Sequence, residues 1–126
     1  MEYSGETKYT KDHLWVTMQG GIATVGITPY AAEQLGDILF VDLPEVGDEI
    51  SSGDVFSEVE SAKTNSELIL PFNGEVVEAN DELDDSPELI NEDAYEAWIA
   101  KFKVDEDVLE GLLSALQYNE LTAEEE

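Results

Sequence analysis

The sequence predicts an all-β-dominated domain, a β-sandwich or small barrel, carrying a short helix near 29–35 and a second helix near 106–117. Three observations predict it. Apolar runs of strand length recur through the first hundred positions, turn-forming residues separate them, and only two segments carry helical signals. The first runs are Leu14-Trp15-Val16-Thr17-Met18 and Ile22-Ala23-Thr24-Val25-Gly26-Ile27, divided by Gln19-Gly20-Gly21. Thr28 then stands as a capping residue before Pro29, and Gly36 closes the segment, so a helix is expected over 29–35. Strands follow at Ile38 to Leu43, Val55 to Val59, Leu68-Ile69-Leu70 and Val76-Val77, with turns at Pro44 to Gly47, Ser51 to Asp54 and Asn73-Gly74. Val108, Leu109, Leu112, Leu113 and Leu116 recur at helical spacing behind Asp105, Glu106 and Asp107, whose charges suit a helix N-terminus. Residues 118–126 lack such periodicity and read as a flexible acidic tail on a single domain spanning 1–126.

Composition narrows the function. The chain has no cysteine and one histidine, His13, which excludes disulfides, thiolate chemistry and multi-histidine metal sites. No metal site is expected. It lacks a membrane-length apolar run and a signal-like N-terminus, so a cytoplasmic protein without membrane association is expected. A formal net charge of -26, from 31 acids against 5 cations, leaves no basic patch for phosphates and argues against nucleic-acid binding. Self-repulsion of this size needs screening, and about 1 M salt shortens the Debye length to about 3 Å. The composition therefore reads first as adaptation to a salt-saturated cytoplasm, as in halophilic microbes, and second as an acidic surface for basic partners.

There is no arginine, and Lys63 is isolated within strand-like sequence. Flanking alternation at Val55 to Glu60 and the apolar Leu68-Ile69-Leu70 place it at a hairpin tip, where its amine is accessible on a rigid support. Most turn lysines are merely solvated. The surrounding motifs give this one a different standing.

From about Tyr9 to Lys103 the chain resembles the glycine cleavage H-protein family of lipoyl carriers. The resemblance is carried by Tyr9 to Val16, including Asp12-His13-Leu14-Trp15, by Val25 to Ala31, and by Leu35-Gly36-Asp37-Ile38-Leu39-Phe40-Val41-Asp42-Leu43-Pro44. It continues through Val59-Glu60-Ser61-Ala62-Lys63, Pro71 to Asn80 and Asp85 to Asn91. The resemblance implies the barrel-sandwich hybrid of lipoyl domains, with lipoate covalently attached to Lys63 and no catalytic residues. It also implies that Glu60 and Gly74 take part in recognition by a lipoate ligase or lipoyltransferase, although Gly74 also suits a plain Asn-Gly turn. The implied partners are a pyridoxal-phosphate glycine decarboxylase, a tetrahydrofolate-dependent aminomethyltransferase and a dihydrolipoyl dehydrogenase, which a monomer would visit in turn.

Two departures bear on this expectation. Leu14 stands where the family commonly has an acid between histidine and tryptophan, so Asp12 and Glu67 are expected to supply the carboxylates of the arm pocket beside His13. The segment Asn91 to Ile99 lacks the family's usual proline and glycine but keeps Tyr95 and Trp98. Competing readings are a lipoyl donor or relay for 2-oxoacid dehydrogenases and a biotin carrier, the latter disfavoured because Ala62 and Thr64, not methionines, flank Lys63. An enzyme built on the acids Asp81 to Asp85 is weaker still, because that run reads as a solvated loop.

Overall fold

A computed structural model describes residues 7–10, 13–104, 112–114, 117–118 and 120–122. In chain order the elements are β1 (Lys8–Tyr9), β2 (Leu14–Gln19), β3 (Ile22–Ile27), α1 (Pro29–Leu35), β4 (Ile38–Asp42), β5 (Glu49–Ile50), β6 (Val55–Ser61) and β7 (Asn65–Ile69). They continue with β8 (Gly74–Ala79), α2 (Glu82–Asp85), α3 (Leu89–Glu92) and β9 (Ala100–Lys103). The strands form a six-stranded sheet, ordered β1-β2-β3-β9-β8-β5, and a three-stranded sheet, ordered β4-β6-β7. All the pairings are antiparallel. This is the lipoyl-type barrel-sandwich fold.

The two sheets close on Phe102, which is fully buried. Its ring meets Phe56 of the small sheet edge to face, with centroids 5.4 Å apart, and Phe72 at 6.1 Å. Val41, Val59 and Leu68 from one sheet and Val25, Val76 and Phe102 from the other belong to one apolar cluster. Burial of these side chains, at roughly 1.5–3 kcal/mol each, is what joins the layers.

α1 forms as its capping signals predict. The Thr28 hydroxyl accepts the Ala31 N–H at 3.2 Å, and Pro29 occupies the first helical turn. The acidic stretch Asp81 to Asp85 is not a plain loop: Glu82–Asp85 make a helical turn because Leu83 is fully buried while its acidic neighbours stay exposed.

The C-terminal region departs from expectation. Much of the expected 106–117 helix lies outside the described residues, but it does not pass through 112–114, where Leu113 bridges Tyr9. Each of these two residues donates its N–H to the other's carbonyl at 2.8 Å, which satisfies the backbone in extended form. Nor is the expected tail loose where it is described. Residues 117–118 and 120–122 are helical, and Tyr118 and Thr122 are buried.

Gly74 opens β8 with no positive φ, so the Asn73-Gly74 pair is not the left-handed turn its sequence suggests. Its need is for space: a Cβ there would stand 2.9 Å from the Cβ of Phe102. Gly74→Ala is expected to cost about 1–3 kcal/mol by overpacking this junction. Denaturant unfolding checks this, and an unchanged midpoint would show that the contact relaxes freely.

Candidate functional site

Lys63 is exposed at the tip between β6 and β7, whose last pair is Glu60 with Asn65. The tip is ordered by its own side chains. Ser61 donates its N–H and its hydroxyl to the Thr64 carbonyl at 2.9 and 2.7 Å, and its Oγ accepts the Lys63 and Thr64 N–H groups at 3.3 and 3.1 Å. One serine thus closes the loop on both sides of the lysine.

A second device ties this tip to the body of the domain. The Ala62 N–H donates to the Asp37 carbonyl at 3.0 Å. Residues 36–38 are in turn held by Asn91, which follows the buried Ile90 in α3. Its Nδ2 donates to the Gly36 carbonyl at 2.8 Å and its Oδ1 accepts the Ile38 N–H at 2.9 Å. Gly36 itself ends α1 at φ 79° and ψ -150°, a conformation open essentially to glycine alone. The lysine stem lies against it. A Cβ at Gly36 would approach Lys63 Cε to 3.3 Å and Cδ to 3.5 Å, so the absent side chain leaves a channel along which the stem is laid.

His13 lies at the other end of α1, roughly 10 Å away by helical rise. It adopts φ 69°, its carbonyl accepts the Thr28 N–H at 3.0 Å, and its ring packs on Tyr30 with centroids 5.0 Å apart. The Tyr118 hydroxyl is 2.8 Å from His13 Nδ1 and 2.6 Å from Thr28 Oγ1, and its ring stacks on Tyr9 at 4.8 Å. On the far side of that stack the Tyr9 hydroxyl lies 2.9 Å from the hydroxyl of Tyr95. Burial first, then the hydrogen bond with Tyr9, push the Tyr95 phenol above its ordinary range, so it stays protonated. Tyr118 was invisible as a site residue in the sequence, where it fell in the presumed tail.

The remaining expected residues are placed less compactly. Leu14 is fully buried in the apolar cluster, so its position offers no site for a carboxylate. Trp15 is buried too and donates Nε1–H to the Ala94 carbonyl at 3.1 Å, a structural contact. Asp12 lies outside the described residues. Glu67 is exposed on β7 opposite Glu58 and lines a groove of about 270 Å³ with Asp42, Pro44 and Asp48. Glu60 is exposed beside the tip. Gly74 begins the strand after the far end of β7, whose span from the tip is about 13 Å. The structure therefore groups Lys63, Glu60 and Ser61 on one hairpin and leaves Gly74 to the core. Among the described residues no cluster of three potential metal ligands occurs, and no helix is long and apolar enough to cross a membrane.

Comparison with known proteins matches this arrangement. The family model of the glycine cleavage H-protein covers residues 7–125. The chain is 55% identical to the glycine cleavage system H protein of Staphylococcus haemolyticus, with 98% of this chain and all of that protein aligned. The corresponding proteins of Staphylococcus saprophyticus and Staphylococcus epidermidis are 54% and 53% identical over the same shares. A crystal structure of the H protein from Mycobacterium marinum superposes with a TM-score of 0.82 at 40% identity, covering 96% of this chain and 99% of that one. These relatives are staphylococcal and mycobacterial, and they lend no support to a halophilic origin.

Asn91 holds residues 36–38 by two hydrogen bonds in an exposed setting. Asn91→Ala is expected to cost about 1 kcal/mol and to speed exchange of the Ile38 and Ala62 amides more than that of Val25 in β3. Hydrogen exchange by NMR reads this; equal acceleration at all three amides would show that Asn91 stabilises the domain without holding the tip.

Proposed function

The chain belongs to the glycine cleavage H-protein family, and from that premise we propose that Lys63 is the anchor of its lipoyl arm. Its role is that of a carrier subunit of the glycine cleavage system, without catalytic function of its own. One observation supports the assignment of the anchor above others: Lys63 is exposed at a serine-closed hairpin tip with its stem against Gly36, where a side chain would intrude. The amine is presented by a framework that cannot swing with it. Among the described residues it makes no ion pair that would have to be broken before acylation.

Bound there as an amide, lipoate supplies a redox-active disulfide at the end of a long flexible tether. The chain's own residues do the rest. Ser61 and the Asp37 carbonyl keep the anchor point fixed, so the tether's reach is measured from a rigid origin and its effective concentration at a docked partner stays high. Glu60 is the residue assigned to recognition by the lipoate ligase or lipoyltransferase, a reading supported by its exposure three residues before the lysine. Gly74 acts on recognition through the packing it permits at Phe102. The decarboxylase, the aminomethyltransferase and the dihydrolipoyl dehydrogenase are the partners this role requires.

For the cationic cargo, Asp12 and Glu67 are the proposed carboxylates and His13 a third pocket residue, because buried Leu14 takes the place of the family's acid. Asp12→Ala combined with Glu67→Ala is expected to shorten the lifetime of the aminomethyl-loaded carrier, followed by mass spectrometry. A lifetime equal to that of the unaltered chain would remove both residues from the pocket.

The anchor is tested by intact mass after incubation with lipoate, ATP and a lipoate ligase. The unaltered chain should gain one lipoyl increment, mapped to Lys63, and Lys63→Arg none. An increment on Lys63→Arg, or none on the unaltered chain, refutes the assignment.

A further inference from the structure

The outer face of the β4-β6-β7 sheet presents a surface that neither the fold nor the anchor explains. Cross-strand partners share a face, so the pairings define it row by row. Val41 opposite Val59 and Ser57 opposite Leu68 are buried and face the core. The alternate rows face out: Phe40, Glu60 and Asn65 beside the Lys63 tip, then Asp42, Glu58 and Glu67.

Two features of this face carry a cost. A register shift between Ile38 and Phe40 inserts Leu39 into β4, and both Leu39 and Phe40 are turned to solvent, 61% and 44% exposed. An exposed apolar pair at the bulge next to the anchor gives up burial that an inward residue would gain. The second row sets three carboxylates directly opposite one another, which is destabilising.

The large sheet handles its acids differently. There Glu78 stands opposite Lys101, with Nζ 3.8 Å from Oε1, and Glu75 opposite Lys103. Two of the five cations in the chain thus stand opposite acids of that sheet, while the row Asp42, Glu58 and Glu67 has no lysine among its cross-strand partners.

We propose that Leu39 and Phe40, rimmed by Asp42 and Glu58, form the docking surface for an enzyme that acts on Lys63 and presents an apolar socket edged with lysine or arginine. Charge decides the occupant. A second copy of this chain would set the same carboxylate row against itself in a molecule of net charge -26, whereas a basic edge neutralises the row. The bulge places the apolar contact on the same row as Glu60, so docking there delivers the tip to the partner's active site. The proposal rests on Lys63 as the anchor and adds the surface by which it is found.

The test is the steady-state rate of lipoyl transfer from lipoate and ATP by a lipoate ligase, with the full chain as varied substrate. Leu39→Ser/Phe40→Ser is expected to raise KM roughly tenfold with kcat unchanged, the signature of lost binding at a central apolar contact. Asp42→Asn/Glu58→Gln should raise KM at low salt and flatten its rise with ionic strength. Val77→Ser, an exposed apolar residue on the large sheet, should leave KM unaltered. Thermal melting of each variant confirms folding, and the charge variant, which removes no apolar contact, serves if the first is unstable. Unchanged KM and salt dependence in both altered-face variants, with the unaltered chain still gaining its lipoyl increment, overturn the docking surface alone. Failure of the unaltered chain to accept lipoate overturns the anchor and the surface together. A dimer seen by sedimentation and dissolved by Leu39→Ser/Phe40→Ser would assign the face to a second copy and overturn the proposal.

Discussion

The closure of two unequal sheets on Phe102 is the constraint from which the rest of the molecule follows. Phe56 and Phe72 meet that ring edge to face, and Gly74 leaves room for its Cβ. Once the small sheet must turn Val41, Val59 and Leu68 toward this junction, its period of two leaves no choice for the other residues. Glu58, Glu60 and Glu67 have to face water. That these positions face outward is a consequence of packing, whereas the acidic side chains chosen to fill them are not.

A separate set of contacts gives the Lys63 tip a fixed base. A hairpin tip projecting from a small sheet would ordinarily move with the solvent. Here Ser61 closes the loop, Ala62 is tied to the Asp37 carbonyl, and Asn91 holds residues 36–38 on either side of that carbonyl. Residues more than fifty positions apart in sequence share one short network. The exposed Lys63 thus projects from a turn whose backbone is held on both sides.

Much of this was legible beforehand. The strands at Leu14, Ile22, Val55 and Val76, the helix over 29–35 and the hairpin at Lys63 all rest on local signals, namely periodicity, capping and turn residues. Where the reading failed, a distant partner outweighed the local signal. Leu113 pairs with Tyr9 rather than continuing an apolar helical stripe, and Tyr118 leaves the presumed tail to bond His13 and Thr28. Asp81 to Asp85 looked like a solvated run because one leucine among acids carries no periodicity, yet burial of Leu83 is enough to hold a helical turn. Gly74 looked like a turn glycine because Asn-Gly is a turn signal; only the position of Phe102 reveals that its missing Cβ matters more than its φ.

The sequence by itself determined the strand-rich class, the accessible lysine and its family, since each depends on residue types at short spacings. Only the tertiary structure decided what surrounds that lysine: the Gly36 channel, the Asn91 clamp, the His13 and Tyr118 contact, and the outward turn of Leu39 and Phe40 at a bulge. The physical reason is the range of the forces involved. Propensity and alternation act over a few residues and are written in order along the chain, whereas a hydrogen bond between Asn91 and Gly36 exists only after packing has brought together two residues 55 positions apart.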